Sequence, residues 1–144
     1  MKIENVVKKF DKNDIYLCPK CAAEAKIEGI SLICVDNHRY DFSKKGYIHL
    51  INNYKPTKYN EELFEARSTV FNNGFYGNVL DALGSLIEKY ARDRVLDIGC
   101  GEGYYIRKLK EKFPDKYFYG LDNSKDAIEL AVKEDKKNPY MIAN

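Results

Sequence analysis

The sequence predicts an α/β protein in which a small metal-binding module precedes a parallel sheet. Three observations support this fold class: cysteine and histidine pairs with metal-ligand spacing, a glycine-rich loop after an apolar strand, and alternating strand and helix patterns after that loop. With 144 residues, of which 44% are hydrophobic, the chain can bury one ordinary core or two small ones.

Charge and hydropathy exclude several classes of protein. The 24 Lys and Arg residues nearly balance the 22 Asp and Glu residues, so a net charge of +2 is no strong argument for a polyanionic partner. The basic excess lies within the first 55 residues. No apolar run approaches the roughly 20 residues that span a bilayer, and MKIENVVKKF lacks the apolar core of a signal peptide. We therefore expect a cytoplasmic protein that does not contact membranes.

The metal site is predicted from a C-x2-C-x12-C-x3-H pattern. Cys18 and Cys21 lie in CPKC, and Cys34 and His38 lie in CVDNH. Two turns then supply four donors in a tetrahedron, which suits Zn²⁺, and the backbone amides after Cys18 can face the sulfurs. A histidine in the fourth place disfavours an iron centre of the rubredoxin kind. One structural zinc ion is therefore predicted; the alternative is a set of buried free thiols with a surface histidine.

The chain divides into two predicted domains. Residues 1–55 form the zinc module, which is small and rich in charge and so needs the metal as its core. The pattern of RYDFSKKGYIHLI predicts one or two strands that complete this module. The segment NNYKPTKYN is polar and contains proline, which predicts a connector. The boundary is placed near Lys55, and residues 56–144 form the second domain.

The second domain begins with two helices and continues as β-α-β-α-β. EELFEARSTVFNN and YGNVLDALGSLIEKYA carry apolar stripes that predict core contacts. Strands RVLDIG, KYFYGLD and PYMIAN then alternate with helices YYIRKLKEKF and SKDAIELAVKE, which predicts a parallel sheet with right-handed crossovers. Ligands of such sheets bind at the carboxyl ends of the strands, where both the glycine loop and Asp122 fall.

The spacing within the loop favours S-adenosylmethionine as the cofactor. Gly99, Gly101 and Gly103 form G-x-G-x-G, whereas a dinucleotide site prefers G-x-G-x-x-G. Asp122, at the end of the next strand, is placed to accept hydrogen bonds from ribose hydroxyls, and Asp97 to hold the loop amides or the cofactor ammonium. One alternative is a tight turn in which Asp122 only caps a helix. A dinucleotide binder is a weaker one.

Several motifs in one order resemble a known family. The linked motifs are CPxC and CxxxH, RYDFSKKGYIHLI, EARSTVFNNGFY, VLDIGCGEGYY and GLDNSKDAI. Together they resemble the bacterial 23S rRNA guanine-N1 methyltransferases over nearly all of residues 15–144. Ser43 and Lys45 depart from the family, which often has Ala and Glu there. The resemblance implies a zinc module for RNA recognition, followed by a class I, Rossmann-like methyltransferase domain that uses S-adenosylmethionine.

The resemblance also assigns residues and a partner. Cys18, Cys21, Cys34 and His38 match the zinc ligands, and 23S ribosomal RNA is the implied substrate. Tyr76 matches a tyrosine that contacts the cofactor, Tyr105 and Ile106 match the contacting pair after the glycine loop, and Asp122 follows the class I pattern. No catalytic residue is assigned, because the family builds its substrate side after the third and fourth strands.

The chain reaches only the third of the seven strands that the family implies. We expect a truncated domain that exposes a sheet edge and an apolar face and that lacks methyl transfer activity alone. Three interpretations are open: a fragment of a longer enzyme, a shortened gene product, or a chain that completes itself by self-association, for example as a homodimer. The alternative function is a non-catalytic, zinc-dependent RNA-binding remnant. Under that alternative, RNA would contact a basic, aromatic strand formed by Lys44, Lys45, Tyr47 and His49. An ordinary solvated strand is the plainer interpretation of this segment.

Overall fold

The computed structural model describes residues 2–10, 16–51, 54 and 61–144. Within these ranges, five helices and eight strands form two four-stranded sheets. The domain boundary that we predicted near Lys55 lies outside the described residues, as does most of the predicted connector.

The first sheet is an antiparallel ribbon in the N-terminal part of the chain. A short helix, α1 (Ile3–Val7), precedes it, and its strands in chain order are β1 (Tyr16–Leu17), β2 (Glu24–Glu28), β3 (Ser31–Cys34) and β4 (Arg39–Asp41). Gly29, with a φ of +60°, allows the tight turn between β2 and β3. That hairpin places Ala25 opposite Cys34, so both cysteine-bearing turns lie at one end of the ribbon.

The second sheet is parallel throughout. Its strands are β5 (Tyr47–His49), β6 (Arg94–Ile98), β7 (Tyr117–Asp122) and β8 (Tyr140–Ile142), in the spatial order β5-β8-β7-β6. The helices are α2 (Glu61–Asn72), α3 (Gly77–Tyr90), α4 (Tyr104–Lys112) and α5 (Lys125–Glu134). The predicted α/β class is confirmed, with α4 and α5 as the crossovers. No helix in this described part is both long and apolar enough to cross a membrane.

One strand lies in a different sheet from the one predicted. RYDFSKKGYIHLI was predicted to complete the zinc module, but only β4 does so, and β5 pairs with β8 in the second sheet. Tyr47 and Ile48 are buried, while Lys45 Nζ and Tyr47 Oη lie 2.7 and 3.1 Å from Glu129 Oε1, to which both donate. Strand β5 is therefore an outer strand of the second sheet and is not fully solvated, because Tyr47 and Ile48 are buried. Lys44 and Lys45 remain exposed, and the RNA-contacting strand considered above stays a prediction.

One hydrophobic core joins the two sheets. It includes residues from α1 and the segment after it, from the ribbon, and from the second sheet: Val6, Val7, Phe10, Leu32, Tyr40, Tyr119 and Met141. The N-terminal part of the chain therefore covers one face of β7 and β8. A second core packs α3, α4 and α5 against the opposite face, through Ile87, Ile106, Phe118, Ile128 and Ile142.

The outer strand β6 carries the exposed edge. Within the described residues β6 has a partner on one side only, and Leu96 and Ile98 are 51% and 74% exposed. The expectation of an open edge and an apolar face is confirmed here. It is wrong for β7 and β8, whose corresponding face lies under the N-terminal part of the chain.

Candidate metal centre and cofactor loop

The four predicted metal ligands meet at one end of the ribbon. The Sγ atoms of Cys18, Cys21 and Cys34 and a ring nitrogen of His38 all lie within 4.8 Å of one another. His38 Nδ1 is 3.5 Å from the sulfurs of Cys18 and Cys34, and the sulfurs of Cys21 and Cys34 are 3.7 Å apart. A tetrahedron with Zn–S bonds of about 2.3 Å and a Zn–N bond of about 2.0–2.1 Å has edges of about 3.8 and 3.6 Å. The donor set therefore fits one structural zinc ion.

Two tight turns hold these ligands. In the first, the Cys18 amide donates to the Ala23 carbonyl and the Ala22 amide to the Cys18 carbonyl, both at 2.8 Å. In the second, the Asn37 amide donates to the Cys34 carbonyl at 2.9 Å. Ala22 and Asn37 have φ values of +58° and +61°. Asn tolerates this left-handed conformation better than Ala, so the first turn carries more strain.

Hydrogen-bond donors around Cys18 favour its thiolate form. Burial alone would raise the pKa of the Cys18 thiol, but the Lys20 amide, the Tyr40 hydroxyl and the Cys21 amide donate to the sulfur and lower this pKa to about 6. The Tyr40 hydroxyl lies 3.6 Å from Cys18 Sγ. Since the thiolate is the species that binds metal, these donors prepare the site. The role of the backbone amides was predicted, whereas that of Tyr40 was not.

The loop after β6 has a backbone that only glycine adopts without strain. Gly99, Gly101 and Gly103 have φ values of +81°, +57° and +77°. The amide of Gly99 donates to the Leu121 carbonyl at 2.7 Å, which ties the loop to the end of β7. A Cβ atom on Gly103 would lie 2.5 Å from the hydroxyl oxygen of Tyr140, so close packing also excludes a side chain there.

Asp122 joins the loop to the strand beside it. Its Oδ2 accepts a hydrogen bond from the Gly101 amide at 2.9 Å, and its Oδ1 accepts one from the Ser124 amide at 2.8 Å. The N-cap of α5 is Ser124, whose hydroxyl oxygen accepts from the Ala127 amide at 3.3 Å. Asp122 is therefore not the N-cap of this helix, as the alternative had it. Its hydrogen bonds lie within the protein, so its role towards a cofactor stays a prediction.

Two further carboxyl groups beside the loop have unfilled acceptor positions. Asp97 Oδ2 and Glu102 Oε1 are buried and have no hydrogen-bond partner among the described residues. Burial raises the pKa of both groups, and the charges of Asp122 and Glu102 raise that of Asp97 further. Asp97 was predicted to hold either the loop amides or the cofactor ammonium, and the Gly101 amide is held by Asp122 instead. The unfilled position on Asp97 fits an ammonium group.

The other residues predicted to contact the cofactor lie in two environments. Tyr76 and Tyr105 line a pocket of about 370 Å³ together with Ala66, Arg67, Val70 and Phe71. Tyr105 and Asp97 also line a second, more apolar pocket between α3, α4 and β6. Ile106 is only 1% exposed and belongs to the second core, so its side chain presents little open surface.

An aromatic cluster beside the loop was not predicted. Phe71 stacks on Tyr104 with ring centroids 4.8 Å apart, and its centroid lies 5.0 Å from that of Tyr76 and 5.6 Å from that of Tyr105. The Arg67 guanidinium carbon lies 5.5 Å from the Phe71 centroid. The stripe on α2 was interpreted as core packing only. The aromatic residues in EARSTVFNNGFY and GYY were the sequence features that could have predicted this cluster.

Known proteins match both halves of the chain. A family model described as "RlmA, N-terminal", a zinc ribbon, matches residues 16–55, and one described as "Methyltransferase domain" matches residues 89–142. The chain is 34% identical over 140 residues to the putative 23S rRNA (guanine-N(1)-)-methyltransferase YxjB of Bacillus subtilis, covering 90% of this chain and 50% of that protein. It is 28% identical over 134 residues to the 23S rRNA (guanine(748)-N(1))-methyltransferase of Streptomyces fradiae, covering 88% and 47%.

One similar solved structure is the plantazolicin methyltransferase BpumL in complex with a pentazolic desmethylPZN analog and SAH. It is 21% identical to this chain, with a TM-score of 0.44, and the match covers 55% of this chain and 33% of that one. The chain spans about half the length of its two curated relatives. In sequence, the chain is similar to the N-terminal half of proteins named 23S rRNA (guanine-N1)-methyltransferases, the family that its motifs resemble.

Proposed function

We propose that this chain is the zinc-binding and cofactor-binding part of a methyltransferase that uses S-adenosylmethionine and modifies guanine N1 of 23S ribosomal RNA. The observation that carries the proposal is the glycine loop after β6, held by Asp122 and placed beside the unfilled acceptor on Asp97. The substrate in this proposal comes from the printed names of the two relatives. A cytoplasmic location and RNA recognition by the zinc module belong to the same proposal.

The residues around the loop suit the parts of this cofactor. Each carboxylate oxygen of Asp122 accepts one amide hydrogen bond and keeps a second lone pair, which a ribose hydroxyl can use. The Cβ-free backbone of Gly99 and Gly101 allows the cofactor to lie close to the loop. Asp97 can accept hydrogen bonds from the methionyl ammonium. When bound, S-adenosylmethionine supplies a sulfonium methyl group that is open to nucleophilic attack.

The contribution of these residues to the reaction is positioning. In-line transfer requires guanine N1 to approach the methyl carbon to about 3–3.5 Å and to lose its proton, after the base leaves its stack. The loop, Asp122 and Asp97 fix one reactant at the carboxyl edge of the sheet. We assign no catalytic base to the described residues.

The proposal is tested by calorimetric titration of the zinc-loaded chain with S-adenosylhomocysteine, the stable product form of the cofactor. We expect saturable binding that Asp122→Ala abolishes and that NADH does not displace. Asp126→Asn, which changes an exposed acid on the neighbouring helix, serves as the matched control and is expected to bind like the unmodified chain.

Two results would contradict the proposal. No binding heat at millimolar ligand would favour the zinc-dependent RNA-binding remnant, which retention of a 23S rRNA fragment by the zinc-loaded chain would then support. Displacement of the ligand by NADH would favour a dinucleotide site.

A further inference from the structure

The pocket beside the glycine loop contains a cation and two phenol hydroxyl groups. Arg67, Tyr76 and Tyr105 line this pocket, whose volume is about 370 Å³. Arg67 is exposed, and none of the ion pairs found among the described residues includes it, although its charge partly offsets the raised pKa of the buried Glu102 carboxyl. Its guanidinium lies over the rings of Phe71 and Phe64, at 5.5 and 6.0 Å from their centroids. These contacts place the guanidinium against both rings.

The same pocket adjoins the proposed cofactor site. Tyr105 lines both this pocket and the neighbouring one that contains Asp97. Phe64, which lies under Arg67, is 3.8 Å from the position that a Cβ atom on Gly101 would take. Tyr105 is therefore close both to the cation of Arg67 and to the unfilled acceptor of Asp97, and the charges of both residues act on its hydroxyl.

We propose that Arg67, with the hydroxyl groups of Tyr76 and Tyr105, binds the α-carboxylate of the cofactor, while Asp97 accepts its α-ammonium. This inference rests on the proposed function, because it assigns one end of the same ligand. A zwitterionic amino-acid group needs donors and an acceptor a few ångströms apart, and charge-assisted hydrogen bonds make that recognition strong. A neutral purine ring would use the aromatic rings of this pocket but not the positive charge of Arg67. The carboxylate uses both the charge and the hydroxyl donors.

The test compares two ligands that differ only at the carboxylate. S-adenosylhomocysteine carries it, whereas S-adenosyl-3-thiopropylamine is the decarboxylated form and keeps the amine, the sulfur and the nucleoside. Calorimetric affinities of both are measured for the unmodified chain, Arg67→Gln, Arg67→Lys and Arg94→Gln. The last variant is the control, because Arg94 begins β6 at the opposite end of the strand from the loop.

We expect Arg67→Gln to weaken binding of S-adenosylhomocysteine about tenfold or more and to change binding of the decarboxylated ligand by less than about twofold. Arg67→Lys should retain part of the affinity, and Arg94→Gln should retain all of it. Equal losses for both ligands, or no loss for either, would overturn the carboxylate assignment and leave the proposed function intact. If the unmodified chain bound neither ligand, the proposed function would fail, and this inference with it.

Discussion

The amide of Gly101 donates a hydrogen bond to Asp122 across 2.9 Å, which connects the loop after β6 to the end of β7. The other oxygen of the same carboxylate accepts the Ser124 amide. One buried side chain thus fixes the loop and the start of α5 together. These two hydrogen bonds restrict the loop, so less conformational entropy remains to be lost when a ligand binds.

The first prediction concerns the stability that this carboxylate provides. Asp122→Asn should lower the free energy of unfolding by about 1–3 kcal/mol, because an amide side chain has one oxygen and cannot accept from both backbone groups. Urea unfolding of the zinc-loaded chain measures this change. Asp126→Asn is the control and should cost less than about 1 kcal/mol through the helix dipole. Equal effects for the two variants would contradict the structural role of Asp122.

The second prediction is a pH dependence at Asp97. Burial and the charges of Asp122 and Glu102 raise the folded-state pKa of Asp97 above the ordinary value of 3.8. The folded state therefore holds this proton more tightly than the unfolded state, and ionisation of Asp97 costs stability above the folded pKa. Asp97→Asn should be more stable than the unmodified chain at pH 7, and the difference should shrink as the pH falls through the raised pKa towards 3.8.

Urea unfolding at several pH values between 7 and about 4.5 checks this prediction. Asp93→Asn, at an exposed position, provides the control and should show no such trend. A stability difference that stayed constant across this range would show that the Asp97 proton is bound equally in both states. Asp97→Asn should also weaken binding of S-adenosylhomocysteine, because the acceptor charge is lost.

The third prediction concerns metal content. The unmodified chain should bind one zinc ion, and Cys34→Ser should bind it much more weakly because one of four ligands is lost. Cys100→Ala, which removes the one cysteine in the glycine loop, should keep one zinc per chain. Elemental analysis after gel filtration gives the stoichiometry. A loss of zinc from Cys100→Ala would mean that the metal site has been assigned wrongly.

The fourth prediction uses the strain in the first metal-binding turn. Ala22→Gly should stabilise the zinc-loaded chain by about 0.5–1 kcal/mol, because relief of the left-handed conformation at φ +58° exceeds the added entropy of glycine in the unfolded chain. Ala23→Gly is the matched control, since Ala23 does not have a positive φ, and it should destabilise. Urea unfolding with excess zinc measures both changes. A loss of stability in Ala22→Gly would be the contrary result.

The fifth prediction tests the packing under the loop. Gly120→Ala should destabilise the protein by about 1–3 kcal/mol, because the new Cβ atom would lie 2.5 Å from Tyr140 Cδ1 and 2.8 Å from Ile106 Cδ1. Gly77→Ala, where a Cβ atom meets nothing within 4 Å, should be neutral or slightly stabilising. Thermal unfolding of both variants gives the comparison. Similar melting temperatures would show that Tyr140 moves aside at little cost.

Local patterns in the sequence predicted most of the elements. The helices and strands from Glu61 to Ile142 follow apolar periodicity and glycine punctuation, and those signals lie within a few residues. The zinc ligands follow from spacing alone, because two chelating turns restrict the geometry to a tetrahedron. Asp122 was also placed correctly at the carboxyl end of its strand, since chain order in a parallel sheet determines that edge.

Long-range partners could not be predicted in the same way. The pairing of β5 with β8 is parallel and joins distant parts of the chain, so no local turn or residue spacing predicts it. The ring of Tyr140 leaves no room for a Cβ atom on Gly103 or Gly120. It approaches these glycines only in the folded sheet. Likewise, Arg67 lies over Phe71 on the same helix, and its position beside Tyr105 depends on how α2 packs near the loop.

The place of β8 between β5 and β7 has a consequence for the order of events during synthesis. The four zinc ligands leave the ribosome early and close together, so the metal can organise the ribbon while the rest of the chain is still being made. Strand β5 leaves soon afterwards, but its partner is among the last residues described. Until then, Tyr47 and Ile48 have no sheet to enter, and this stretch is an apolar segment exposed to other chains. Strand β8 therefore joins β5 to β7 and also protects an early apolar strand from aggregation.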